Sequence, residues 1–194
     1  MTRSVTALVV AGGGSTRFGA DKLDQSLGGT TVLGHLLDSL PADWPVVVVG
    51  PPREVSRAVT WAVEEPPAGG PLAAIDAGLG HVGTPLVVVL GGDMPFAGPA
   101  ARQLADALAE AVADPDDFGV VAATVRGCDR RAQPLLTAYV TASARAAMPE
   151  SPHAGRAGVL LATLPHLVLK VAPDDLLDVD TPEQLEDARR RLGP

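Results

Sequence analysis

Residues 85–93, PLVVVLGGD, form an unbroken apolar run that ends in two glycines and an aspartate. A strand with one face in water alternates apolar and polar residues, whereas a strand without alternation is covered on both faces. The run therefore calls for a sheet with helices packed above and below it. SVTALVV (4–10) and PVVVVG (45–50) read as further buried strands, and TWAVEE (60–65), FGVVAATV (118–125) and HLVLKVA (166–172) add three more. Helical spacing lies between them. It runs over 30–40 through Val32, Leu33, Leu36, Leu37 and Leu40, over 71–79 behind a proline in the first turn, and over 99–113 as an amphipathic stretch. A short helix is expected over 52–59 and another over 154–164. Residues 133–140 read as a strand leading into a helix through 147. A closing helix over 181–192 is expected to be capped by Asp180 or Thr181. Alternating strands and helices with short connections predict an α/β fold: one domain over 1–194, three α/β/α layers, Rossmann-like, with a mostly parallel sheet.

Only 3% of residues are aromatic, so Ala, Val, Leu and Gly must build the core. The net charge of −8 argues against a general nucleic-acid or membrane-surface binder, but leaves room for a phosphate ligand held in a local cradle. Cys128 is the lone cysteine, so an internal disulfide is excluded and a thiol-based metal site or nucleophile is not expected. The four histidines, His35, His81, His153 and His166, show no metal-ligand spacing. The first ten residues hold too short an apolar run for a signal peptide, and no segment reaches the length of a membrane span. A cytoplasmic setting is expected, with a monomer or weak homo-oligomer.

The glycines of VVAGGGSTRFGADK (9–22) follow the first strand, at the carboxyl edge of the sheet, where open α/β sheets bind ligands. Backbone N–H groups there can approach phosphate oxygens closely. The dinucleotide pattern G-x-G-x-x-G fails, because Arg17 stands where the third glycine is required. The P-loop pattern fails as well, because Ala20 and Asp21 replace its Lys and Ser/Thr.

AGGGSTRFGADK resembles, position by position, the A-G-G-x-S-x-R-x-G-x-D-K signature of the molybdenum cofactor guanylyltransferase family, nucleotidyltransferases with a glycine-rich loop after the first strand. Four further segments resemble that family in order: GGPLAAIDAGL (69–79), GGDMPF (91–96), QPLLTAY (133–139) and DVDTPEQL (178–185). The resemblance covers nearly the whole chain. It implies transfer of a nucleoside monophosphate from a triphosphate to a phosphorylated acceptor. GTP and molybdopterin are the expected substrates, pyrophosphate is the leaving group and Mg²⁺ is the cofactor.

The residues can be read against that reaction. Gly12, Gly13 and Gly14 would offer backbone donors to the triphosphate. Arg17 would grip phosphate oxygens with a two-pronged guanidinium, and Lys22 would place a point charge at the reacting phosphate. Asp93, at the end of the most buried strand, is the first metal ligand expected, and Asp180 the second, ahead of Asp178. Lys22, Arg17 and Asp93 thus form the catalytic set. Val10, Ala11, Glu65, Gly70, Pro71 and Leu72 join them in nucleotide binding, while Arg130, Arg131, Gln133 and Arg156 are candidates for the acceptor. The chain departs from the family at three places: Ala74 replaces a glycine, Pro51 falls where Asn is usual, and Glu65 replaces Asp. Those departures keep cytidylyl transfer open as an alternative, along with a catalytically silent nucleotide-binding scaffold.

Overall fold

The structure is a computed structural model that describes residues 4–12, 21–113, 119–127 and 131–193. Nine strands and six α-helices are found among them: β1 (Val5–Val10), β2 (Ser26–Leu27), β3 (Thr30–Thr31), α1 (Val32–Ser39), β4 (Val46–Val49), β5 (Thr60–Ala62), α2 (Pro71–Leu79), β6 (Leu86–Gly91), α3 (Gly98–Ala111), β7 (Ala122–Arg126), β8 (Ala132–Val140), α4 (Thr141–Ala146), α5 (Gly158–Ala162), β9 (His166–Leu169) and α6 (Pro182–Leu192). Seven strands make one sheet in the order β5-β4-β1-β6-β8-β7-β9, and β2 pairs antiparallel with β3 as a separate small hairpin. All neighbouring pairs in the large sheet are parallel except the two that β8 makes with β6 and β7.

Both faces of the sheet are covered, as the runs without alternation require. Val5, Ala7 and Val9 of β1 join a core with α1, α3 and α6, whose inward residues include Leu33, Leu37, Leu104, Leu108 and Leu185. Leu8 and Val10 turn to the other side, where Leu72, Ile75 and Leu79 of α2, Ala144 of α4 and Leu160 of α5 complete a second core. These are the three α/β/α layers. α2 lies close on the sheet because Gly78 permits it: a Cβ at that position would come within 2.8 Å of side-chain carbons of Leu8 and Val49. From β1 the chain goes outward to β4 on one side and to β6 on the other. The switch in strand order opens a crevice at the carboxyl ends of β1 and β6.

Three sequence expectations need correction. Residues 52–59 form no helix. They run extended, with Arg53, Val55, Arg57 and Val59 turned inward and Glu54, Ser56 and Ala58 outward, a period of two. Val55 and Val59 also satisfy helical i, i+4 spacing, which is why the segment misleads. The helix expected over 30–40 begins at Val32, because Thr30 and Thr31 form β3 of a small hairpin. Residues 133–140 lie within β8 and lead directly into α4, as expected. α5 covers only 158–162 of the expected 154–164.

Arg57 explains part of the extended segment. Its Nη1 donates to the carbonyls of Leu37 and Leu40 (3.1 Å each), and its Nη2 to those of Pro41 and Trp44 (2.6 Å each). These carbonyls lie at the end of α1 and in the turn beyond it, and those of Leu37 and Pro41 also accept the N–H groups of Leu40 and Trp44. Charged hydrogen bonds of this kind are worth about 1.5–3 kcal/mol each, with strong overlap when one cation makes several. Arg57→Ala should therefore lower the unfolding free energy by about 3 kcal/mol in a denaturant titration. A loss below about 0.5 kcal/mol would show that water replaces the guanidinium without penalty.

Candidate functional site

The crevice edge is assembled from three distant stretches. β1 ends at Val10, and Ala11 continues its pairing by donating its N–H to the carbonyl of Val49 (2.8 Å), which carries the backbone to Gly12. β6 ends at Gly91, and the next amide, Gly92, donates to the carbonyl of Val10 (2.9 Å). That bond fixes the turn bearing Asp93 beside the start of the glycine-rich segment. The third stretch precedes α6: Val179 donates its N–H to the backbone carbonyl of Asp93 (2.9 Å), bringing Asp178 and Asp180 to the same place.

Lys22 lies on a single 3₁₀ turn, Lys22–Asp24. Asp21 caps that turn by accepting from the Leu23 N–H (3.0 Å), and buried Leu23 anchors it. The ammonium reaches across the crevice. Nζ donates to Asp93 Oδ2 and to Asp180 Oδ1, both at 2.6 Å. Burial of Lys22 works to lower its pKa, but the Asp93 charge and the hydrogen bonds that Nζ donates to both carboxylates outweigh that, and the net shift is upward. The group is therefore a cation throughout the working pH range. Asp178, just behind, is pushed up by desolvation and then by the charges of Asp180 and Asp93. It accepts from Gln184 Nε2 (3.3 Å). The helix cap is settled in favour of Thr181, whose hydroxyl accepts from the Gln184 N–H (3.3 Å). Asp180 is thus left to face the crevice.

The two carboxylate oxygens converge on one positive centre, and this tests their fit to a metal. Hard oxygen donors from one or two carboxylates, with phosphate oxygens and water completing the shell, suit Mg²⁺. No cluster of three or more His, Cys, Asp or Glu side chains able to hold a metal occurs among the described residues, so a cation here would rely on its substrate for further ligands.

Of the nucleotide-binding residues expected from sequence, Val10, Ala11, Gly12, Lys22 and Asp93 meet at this edge. Gly13, Gly14 and Arg17 lie outside the described residues, as do Arg130 and Cys128. Gly70 has φ +89° and hands the chain into α2 at Pro71. Its loop is stitched to residues 152–156, since Ala154 donates to the carbonyl of Gly69 (2.7 Å) and Leu72 to that of Gly155 (3.2 Å). Leu72 is consequently a buried anchor, its N–H already engaged. Arg156 is exposed on the partner loop, next to the Gly70 turn. Arg131 and Gln133 sit at the start of β8, which is the crevice edge because β8 runs against β6.

Glu65, expected in nucleotide binding, lies in the segment after β5. It is exposed, whereas its neighbour Glu64 is only 8% exposed and turns inward. The Glu64 carboxylate oxygens lie 3.7 and 4.0 Å from where a Cβ on Gly12 would stand. Strand alternation carries the signal: Ala62 of β5 is buried and Val63 is exposed, so position 64 faces in and 65 out. Glu64 is thus a buried carboxylate beside Gly12 at the crevice edge.

Residues 7–167 match the MobA-like NTP transferase domain family. A relative from Natronomonas pharaonis, "Probable molybdenum cofactor guanylyltransferase", is 32% identical over 97% of this chain and 98% of its own length. Among solved structures, molybdopterin-guanine dinucleotide biosynthesis protein A from Archaeoglobus fulgidus superposes with TM-score 0.69 at 20% identity, covering 96% of this chain and 97% of its own. A 2-C-methyl-D-erythritol 4-phosphate cytidylyltransferase from Thermus thermophilus reaches TM-score 0.67 at 19% identity over 98% of both chains. At such identities the solved structures establish the shared fold.

Proposed function

The chain belongs to the MobA-like NTP transferase family, and on that premise we propose that it transfers GMP from GTP to the phosphate of molybdopterin, releasing pyrophosphate. The observation that carries this reading is Lys22 Nζ held 2.6 Å from both Asp93 and Asp180, at the sheet edge where the glycine-rich segment begins. A phosphate oxygen of the acceptor attacks the α-phosphorus of GTP. The bond from that phosphorus to the β-bridging oxygen breaks, and its electron pair leaves with pyrophosphate. The attacking oxygen is already anionic near neutral pH, so positioning and charge neutralisation are the protein's main tasks. Lys22 offsets charge on the α-phosphate. Backbone N–H groups of Gly12, Gly13 and Gly14, with Arg17, hold the β- and γ-phosphates. Asp93 and Asp180 would hold Mg²⁺, which supplies charge neutralisation at the phosphates. Arg130, Arg131, Gln133 and Arg156 would offer cationic and polar contacts to an anionic acceptor. The chain works as a single cytoplasmic domain, monomeric or weakly self-associating, without nucleic-acid or membrane partners; no helix among the described residues is long and apolar enough to cross a membrane.

Base choice is assigned to Glu64 rather than Glu65. Guanine offers two adjacent donors, N1–H and the 2-amino group, which one carboxylate accepts together. Cytosine offers only its 4-amino group. Glu64→Gln should cut kcat/KM for GTP about 10–100-fold while the value for CTP moves less than about threefold, because a site built around a hydrogen-bonded pair discriminates through it. Equal losses with both nucleotides would remove Glu64 from selection.

The function itself is tested by pyrophosphate release from GTP, CTP, ATP and UTP, each with molybdopterin and Mg²⁺. Turnover with GTP is expected. Turnover with CTP alone makes the chain a cytidylyltransferase. Binding without turnover of any triphosphate makes it a silent scaffold.

A further inference from the structure

The extended segment after β4 brings a second arginine to the margin of the site. The Arg53 side chain is 9% exposed. Its Nη1 donates to the carbonyls of Pro51 (3.0 Å) and Ala11 (3.4 Å), and its Nη2 to Asp21 Oδ2. Nε lies 3.1 Å from Asp24 Oδ1, paired by charge but not aligned for a hydrogen bond. Ala11 stands directly before the glycine-rich segment, and Asp21 directly after it. One buried guanidinium therefore spans both of its ends.

Asp21 has a second task, since its other carboxylate oxygen caps the turn that carries Lys22. Arg53 holds that carboxylate, and holds Asp24 at the far end of the same turn. The connection runs without a gap from the guanidinium to Asp21 and Asp24, through the Lys22–Asp24 turn, to the ammonium and the carboxylates of Asp93 and Asp180. We propose that Arg53 is a positioning residue for nucleotidyl transfer: by clipping Ala11 to Asp21 it sets where the Lys22 ammonium stands. This inference rests on the role given to Lys22 above. Its place in the fold calls for arginine. A planar fork with five N–H donors can engage a backbone carbonyl and two carboxylates at once, whereas a lysine is a compact point charge.

The test uses Arg53→Gln, Arg53→Lys and Arg53→Ala in the full chain. Amide hydrogen exchange at Leu23 and Asp24, with the β6 amides as internal reference, is read first and needs no substrate. Exchange at Leu23 and Asp24 should quicken about tenfold or more in Arg53→Gln, with β6 within about twofold of the parent. Unchanged exchange at the turn overturns the proposal. Steady-state pyrophosphate release is read second. Displacing a catalytic group by about 1 Å can cost 10²-fold, so kcat should fall about 30–100-fold while KM for GTP stays within about threefold. Methylguanidinium added to Arg53→Ala should restore about a tenth of the parental kcat or more. A quickened turn with kcat within about threefold of the parent makes Arg53 a structural clip only, and overturns its role in positioning. If Arg53→Gln also loses β6 protection, Arg53→Lys, which keeps the charge, decides by the same criteria. A parent that turns over no triphosphate refutes the transferase reading instead, and the exchange data still show whether Arg53 holds the turn.

Discussion

Lys22→Ala should lower kcat/KM for pyrophosphate release about 10²–10³-fold, equivalent to about 3–4 kcal/mol of transition-state stabilisation. The ammonium is the cation that the structure fixes between the two crevice carboxylates, at 2.6 Å from each. Removing it takes a positive charge from the reacting phosphate and also exposes an anionic substrate to Asp93 and Asp180 without their partner. Both effects act in the same direction. The turn should tolerate the change, because it is anchored by buried Leu23 and by the Asp21 cap rather than by the lysine side chain. Thermal midpoints within about 3 °C of the parent would confirm that the loss is chemical. Lys22→Arg keeps the charge but spreads it over a plane, and should recover less than about a tenth of the rate. A Lys22→Ala variant within about threefold of the parent would sink the assignment of Lys22 to the phosphate.

Asp93→Asn is expected to have a comparable effect, about 10³-fold in kcat, through a different physical route. The substitution keeps shape and removes charge. It spares the backbone carbonyl that receives Val179 N–H, so the three stretches of the crevice stay joined. What is lost is a hard anionic donor. Charge stabilisation by a bound divalent ion is worth several kcal/mol. Titration with Mn²⁺ in the presence of GTP, followed by water-proton relaxation, should show weaker binding by about 10–100-fold. Asp180→Asn should lose less than Asp93→Asn, because the Asp180 side chain is 48% exposed against 26% for Asp93 and is held less rigidly. The reverse ranking, or retained Mn²⁺ affinity in Asp93→Asn, would move the principal metal ligand elsewhere.

The parts of this arrangement visible in sequence are those encoded by local pattern. The unalternating runs of β1, β4 and β6 announce a sheet covered on both faces, and the position of the glycines after β1 places the site at its carboxyl edge. Asp93 at the end of β6 follows from the same logic. Contacts across the sheet are less legible. Nothing local tells whether Asp180 caps α6 or faces the crevice; the choice is made by the bond from Val179 to Asp93, 86 positions away in the chain. Glu64 and Glu65 are chemically identical, and only the phase of the short strand β5 separates them. Residues 53–59 carry a spacing that fits either a helix or an extended segment. The outcome is decided by where Arg53 and Arg57 find acceptors, which belong to Ala11, Asp21 and the end of α1.

Two carboxylates drawn this close would repel each other on their own. The shared ammonium lets the chain fold them together, although Lys22 and Asp180 are 158 positions apart. That economy makes the lysine a resident counter-ion. A divalent cation held by Asp93 and Asp180, as proposed, would meet a like charge already seated between them, so it would have to exchange with the ammonium rather than add to it. A triphosphate gives the displaced charge somewhere to go, and cation and nucleotide should accordingly load as one complex.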